Sequence, residues 1–248
     1  MRLWTSIYRR LFCCGGFGIH SPFVFDMITN VVGERCAYYF YGEMASARLQ
    51  LSQNTTCITC GGRRTTVCRA LRRYGISPKE GRLLFRIANR FKPRAILTVG
   101  SSQGMLPLCL TGSASSVQCI TLEAERDFAE MATKLVGQKT QASVEIRHGE
   151  YEAQIIPALE KLGRVDCLCF GKEVDVQTQE RIFARCVPFL YEQSICIVTD
   201  IHASSARKRR WKAFCLHPKV TVSLDLYTTG ILFFHPRLNR RSYKSLVY

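Results

Sequence analysis

This 248-residue chain lacks any long apolar run. No stretch approaches the 18 or so uninterrupted apolar residues a spanning helix needs, so a transmembrane protein of that kind is excluded. A secretory leader is not expected either, because Arg9 and Arg10 break the apolar start and no small-residue cleavage site follows. Internal repeats and low-complexity tracts are also missing, which sets repeat architectures aside. Acid is scarce: 19 Asp and Glu stand against 35 Lys and Arg. No second Cys-x-x-Cys accompanies Cys57 and Cys60, and one such pair, even with Cys36 or Cys68, falls short of a zinc-site pattern.

The composition is otherwise that of a folded chain, 47% apolar and 22% charged. Thirteen cysteines, an odd number without an export signal, point to a reducing cytoplasm rather than a disulfide framework. The net charge of +16 is unevenly spread. Residues 1–95 carry 16 basic and 4 acidic side chains, residues 96–200 carry 9 and 14, and residues 201–248 carry 10 and 1. An acidic middle between basic ends suits a core with separate basic surfaces, which can meet RNA, an anionic membrane surface or an acidic substrate. The densest run, Arg207 to Lys212, lies in an expected helix and would spread over several of its faces.

Leu3, Trp4, Ile7, Tyr8, Leu11 and Phe12 have helical spacing. Such a helix can dock on the core, meet a second copy in a homo-oligomer, or lie on a membrane surface. Ser21-Pro22 can open a helix carrying Phe23, Val24, Ile28 and Val31 inward. Residues 52–66 read as a polar loop, Thr65 to Tyr74 as a basic helix, and Ser77-Pro78-Lys79-Glu80 as the capped start of a helix to about Phe91.

From residue 95 short apolar runs alternate with helical segments. Strands are expected at Ala95–Val99, Val117–Leu122, Ser143–Arg147, Val165–Phe170 and Ile195–Thr199, with helices at about 105–111, 124–136, 150–162 and 176–190. Crossover connections of this kind imply a mainly parallel sheet between helices. The end differs, since Val220–Leu226 and Ile231–Phe234 flank a turn and form a hairpin that brings in an antiparallel strand. The expected organisation is a helical region at 1–92 and a doubly wound α/β domain at 93–248.

The main chemical signal is Val99-Gly100-Ser101-Ser102-Gln103-Gly104 between the first strand and a helix. Glycines there permit a sharp turn and close ligand approach, and the next helix aims its amides at the same place. Glu123 ends the second strand, where a carboxylate can accept from both ribose hydroxyls of an adenosine-containing ligand. Ser102 replaces the middle glycine of a dinucleotide fingerprint, which points to a ligand without pyrophosphate.

With these features the stretch 95–236 resembles the class I S-adenosylmethionine-dependent methyltransferases, nearest to the small-molecule O-methyltransferases. Gly16 to Asp26, Ser77 to Phe85 and Asp225 to Phe234 resemble a bacterial subgroup of that family. The resemblance implies a Rossmann-like fold with S-adenosyl-L-methionine as cofactor. It implies that Gly100, Ser101 and Gly104, with Ser102 between them, line the methionine part, that Glu123 holds the ribose, and that Gly149 lies near the adenine. Asp200 would face the substrate side. Thr98 stands where the family usually carries an acid toward the cofactor's amino group. After the fourth strand Gly171-Lys172-Glu173 replaces the Asp of metal-dependent members. Asp200 alone is a poor site for a hard cation, so no catalytic metal is expected.

For a hydroxyl acceptor a base near neutral pH assists. Asp200-Ile201-His202 follows the fifth strand, and extended alternation would put both polar side chains on one face, His202 as base and Asp200 as its partner or the substrate's. His20 is a substrate-side candidate in a segment that could fold over the sheet edge, while His148, His217 and His235 suit surface or packing roles. The methyl acceptor stays open. The alternative is a methyltransferase-like domain without catalysis that binds a polyanion.

Overall fold

The structure is a computed structural model and describes residues 19–245. The amphipathic segment 3–12 lies outside the described residues. Ser21 caps the short helix α1 (Pro22–Asp26), its hydroxyl accepting from the Val24 amide, and a π-helical turn continues it to Val32. Helix α2 (Phe40–Gln53) follows, then strands β1 (Cys57–Cys60) and β2 (Arg63–Thr66), which pair as an antiparallel hairpin. The polar loop expected at 52–66 is thus partly ordered: Thr65 and Thr59 lie within β-strands, and Gly61-Gly62, both with positive φ, turn the chain between them. Helix α3 (Val67–Tyr74) leads to α4 (Pro78–Phe91). Ser77 and Glu80 form the expected capping box, with Pro78 in the first turn and left-handed Lys92 closing the end.

The remaining elements alternate: β3 (Ala95–Val99), α5 (Met105–Thr111), β4 (Gln118–Glu123), α6 (Arg126–Lys139), β5 (Ser143–His148), α7 (Tyr151–Leu162), β6 (Cys167–Phe170), α8 (Val176–Cys186), β7 (Ile195–Thr199), α9 (Ser205–Leu216), β8 (Val222–Asp225), β9 (Thr229–Phe233) and β10 (Arg241–Lys244). The large sheet has the order β10-β8-β9-β7-β6-β3-β4-β5. Strand β9 runs antiparallel between β7 and β8, and the other pairings are parallel. Strand β10 lies in a stretch with no strand signal in the sequence, where charged residues outnumber apolar ones.

Alternation along the strands divides the core. Ile96, Cys119, Cys167, Cys169, Ile197 and Leu224 face the layer of α1–α6, together with Val24, Leu84 and Phe128. Leu97, Val99, Ile120, Leu122, Phe170 and Val198 face the layer of α7–α9. The described helices before residue 92 therefore share one hydrophobic cluster with the sheet. Each fully buried Leu, Ile or Phe contributes roughly 1.5–3 kcal/mol, and together they hold the carboxyl ends of β3, β4, β6 and β7 in one row.

Candidate functional site

At the end of β3 the chain turns through Gly100 (φ +85°), Ser102 (+48°), Gln103 (+60°) and Gly104 (+89°). Left-handed backbone at two non-glycine residues in succession is uncommon and marks a turn whose shape the surroundings impose. The Gly100 amide donates to Leu122 O (2.8 Å), and Gln103 Nε2 donates to Val67 O (3.1 Å) at the start of α3.

Two carboxylates converge on this turn. Glu123, fully buried, accepts from the Ser101 amide (2.9 Å) and Ser101 Oγ (2.5 Å), and from the Glu125 amide (3.2 Å) and Tyr151 OH (3.4 Å). Glu173 accepts from the Ser102 amide (2.5 Å) and Ser102 Oγ (3.2 Å). Part of Glu173 stays at the surface, but its carboxyl group turns inward and lies against Gly100, where a Cβ would stand 2.8 Å from it. Burial, then the Glu173 charge, pushes the Glu123 carboxyl up to about 8 against the Ser101 hydrogen bonds. Burial raises Glu173 likewise, against the Ser102 amide.

The loop carrying Glu173 is pinned from both sides. Gln179 Nε2 donates to Gly171 O and Val174 O, and Arg207 Nη2 to Lys172 O (2.7 Å) and Val174 O (3.3 Å). Lys172 forms a buried ion pair with Glu80 (2.7 Å) and donates to Gly75 O, while Thr229 Oγ1 donates to Glu80 Oε1. The β1–β2 hairpin docks beside the turn, the Thr59 amide on Asp127 Oδ2 (2.5 Å) and the Gly61 amide on Glu125 Oε1 (2.7 Å).

The structure brings Gly100, Ser101, Ser102, Gly104 and Glu123 to one place. Gly149 lies beside them, its amide on Glu123 O (3.0 Å). Thr98 is elsewhere: as an inner strand residue, fully buried, it donates from Oγ1 to Thr121 Oγ1 (2.8 Å) on β4. His20 is also elsewhere. It is exposed just before α1, whose Phe23 packs edge-on against Phe233 and Phe91. Those residues close the opposite, amino-terminal edge of the sheet, so α1 cannot deliver His20 to the turn.

Asp200 follows β7 on the same edge as the turn, but its φ of +58° breaks the extended alternation that would have set it beside His202. Instead His202 Nε2 lies 2.7 Å from Asp225 Oδ2, and the imidazole stacks on Tyr227 (5.5 Å between centroids). Ser204 caps α9, its hydroxyl accepting from the Arg207 amide. Asp225 was missed, although it is the single acid among residues 201–248. Glu173 was missed because a loop side chain folding back onto a neighbouring strand's turn leaves no periodic trace. Cys57 and Cys60, three apart on β1, point to opposite faces, and among the described residues no three His, Cys, Asp or Glu side chains gather as metal ligands.

Neither a family model nor a curated protein sequence matches the chain. Solved structures do. An O-methyltransferase from Bacillus cereus in complex with S-adenosylhomocysteine superposes with a TM-score of 0.60 at 16% identity, over 85% of this chain and 96% of that one. The O-methyltransferase TomG from Streptomyces achromogenes, in complex with S-adenosylmethionine, gives 0.55 at 16% identity, over 81% and 91%. The chain has an O-methyltransferase-like fold. A methyltransferase from Geobacter sulfurreducens is similar over 82% of this chain and 91% of its own, with a TM-score of 0.56 and 13% identity. This methyltransferase-like fold accounts for β9, the one antiparallel strand expected from the hairpin.

Proposed function

We propose that the protein transfers a methyl group from S-adenosyl-L-methionine to an oxygen or nitrogen of an acceptor without a catalytic metal. One observation carries the reading: the turn after β3 presents amide and hydroxyl donors that already hold carboxylates, and Glu123 is directed at that same turn. A donor set that receives the Glu173 carboxylate suits the carboxylate of an amino-acid ligand, provided Glu173 withdraws. Its loop has the means, since Glu173 reaches the turn by its side chain while Gln179 and Arg207 hold the loop's carbonyls.

S-adenosyl-L-methionine supplies an electrophilic methyl group when bound. In this reading the Ser102 amide receives its carboxylate, Glu123 accepts from the ribose hydroxyls, and Gly149 borders the adenine. His202 is the base. Its Nε2 lies 2.7 Å from Asp225 Oδ2, which orients the ring for taking the acceptor's proton, and Tyr227 stacks on the imidazole. Asp200 faces the acceptor from the end of β7. The Lys172 ammonium, paired with Glu80 next to the loop, makes this edge a poor place for a divalent cation.

Calorimetric titration with S-adenosylhomocysteine tests the reading. Binding is expected, weakened about tenfold in Glu123→Ala, because two ribose hydrogen bonds at about 0.5–1.5 kcal/mol each are lost. Glu173→Ala is expected to tighten binding by about tenfold by removing the competing carboxylate. No heat with the wild type and with Glu173→Ala leaves the fold without this cofactor.

A further inference from the structure

Beside the turn, the hairpin and α3 border an open cavity of about 440 Å³ that nothing in the proposed reaction uses. Its wall carries Arg63 and Arg64 from β2 and Arg69 and Arg73 from α3, with Gly61 and Tyr74 completing the rim. All four arginines are exposed, and none forms an ion pair among the described residues. Arg69 and Arg73 stand four apart on one helix face, an arrangement of like charges that destabilises a helix unless an anion sits between them. Arg73 Cζ sits over the Tyr74 ring, 5.3 Å from its centroid, a cation–π contact that helps position one guanidinium. The cavity adjoins the turn directly. Gly61 on its rim donates to Glu125, two residues beyond Glu123, and α3 begins at Val67, the acceptor of Gln103.

We propose that this arginine-lined cavity binds the phosphate or diphosphate group of a small methyl acceptor and holds the acceptor beside the turn after β3. The assignment rests on the methyltransferase reading for the word acceptor. Guanidinium forks match phosphate oxygens two at a time, and Arg69 and Arg73, on one face of α3 beside the basic strand β2, suit a doubly charged group better than a single carboxylate. The volume matches a small-molecule pocket.

The test is calorimetry with inorganic pyrophosphate on the full chain at physiological salt, alongside S-adenosylhomocysteine. Two double variants are compared: Arg69→Ala/Arg73→Ala in the cavity and Arg209→Ala/Lys212→Ala, which removes the same charge from exposed positions on α9. Pyrophosphate is expected to bind the wild type and the α9 variant equally and the cavity variant at least about tenfold more weakly, with the homocysteine ligand unaffected in all three. Absence of pyrophosphate binding, or equal binding to all three proteins, overturns the site. So does a single-stranded RNA oligonucleotide that binds and weakens equally in both variants, which marks diffuse charge. Pyrophosphate binding that needs Arg69 and Arg73 in a protein indifferent to S-adenosylhomocysteine retains the anion site and overturns its role for a methyl acceptor.

Discussion

Glu123 and Glu173 press two carboxyl groups into one buried turn, and the consequence is thermodynamic. Glu123 is raised from 4.5 to about 8 and Glu173 moves the same way, so the folded protein keeps protons that the unfolded chain releases. The stability this confers is full below about 4.5 and is lost as pH rises through about 8. Thermal melts at a series of pH values are therefore expected to show Glu173→Gln gaining on the wild type as pH rises across that window. Parallel curves would show that the two carboxyls do not interact. At this scale the sequence disclosed a part of the site. Gly100, Ser101, Ser102, Gly104 and Glu123 follow from the position of glycines and an acid at strand ends, which backbone geometry dictates. Glu173, Asp225 and the Glu80–Lys172 pair act across strands, and such contacts exist only once the sheet has an order.

Helix α4 shows how local chemistry sets an element's limits. Ser77 Oγ accepts from the Glu80 amide (3.3 Å) while Glu80 Oε2 accepts from Ser77 N (3.4 Å). Replacing Ser77 with Ala is expected to cost about 1 kcal/mol and to lower the melting temperature by roughly 2–4 °C for a chain of this size. A larger loss would mean that the cap also supports the Glu80–Lys172 ion pair, which calorimetric melts of a Ser77→Ala/Lys172→Met double variant would separate. Elements with strong period, such as α4, β3 and α6, were legible within a few residues. The hairpin β1–β2 was not, because Thr59, Arg63 and Arg64 form a strand pair whose faces are largely polar, and hydrophobic alternation has nothing to register there. Strand β10 escaped for the same reason: Arg241, Ser242 and Lys244 pair with β8 through backbone groups that composition does not reveal.

Across the whole molecule the cysteines divide by depth. Cys109, Cys119, Cys167, Cys169, Cys186 and Cys196 are buried, and burial pushes the Cys109 and Cys119 thiols up to about 12. Iodoacetamide labelling read by mass spectrometry is expected to modify exposed Cys36 and Cys57 in the native protein and these six on unfolding alone. Early labelling of Cys167 or Cys169 would mean that the central strands open without global unfolding. Their placement was readable in advance, since each falls in an apolar run. The basic ends were readable as charge but not as a cavity, because its arginines come from two elements, β2 and α3, that the sequence left partly unassigned. Strand order carries a further consequence. Ile195–Thr199 finds its neighbour on one flank in Thr229–Phe233, after α9 and β8 have been made. A nascent chain emerging from the ribosome thus holds a half-finished sheet whose rim at β7 stays bare until synthesis passes Phe233.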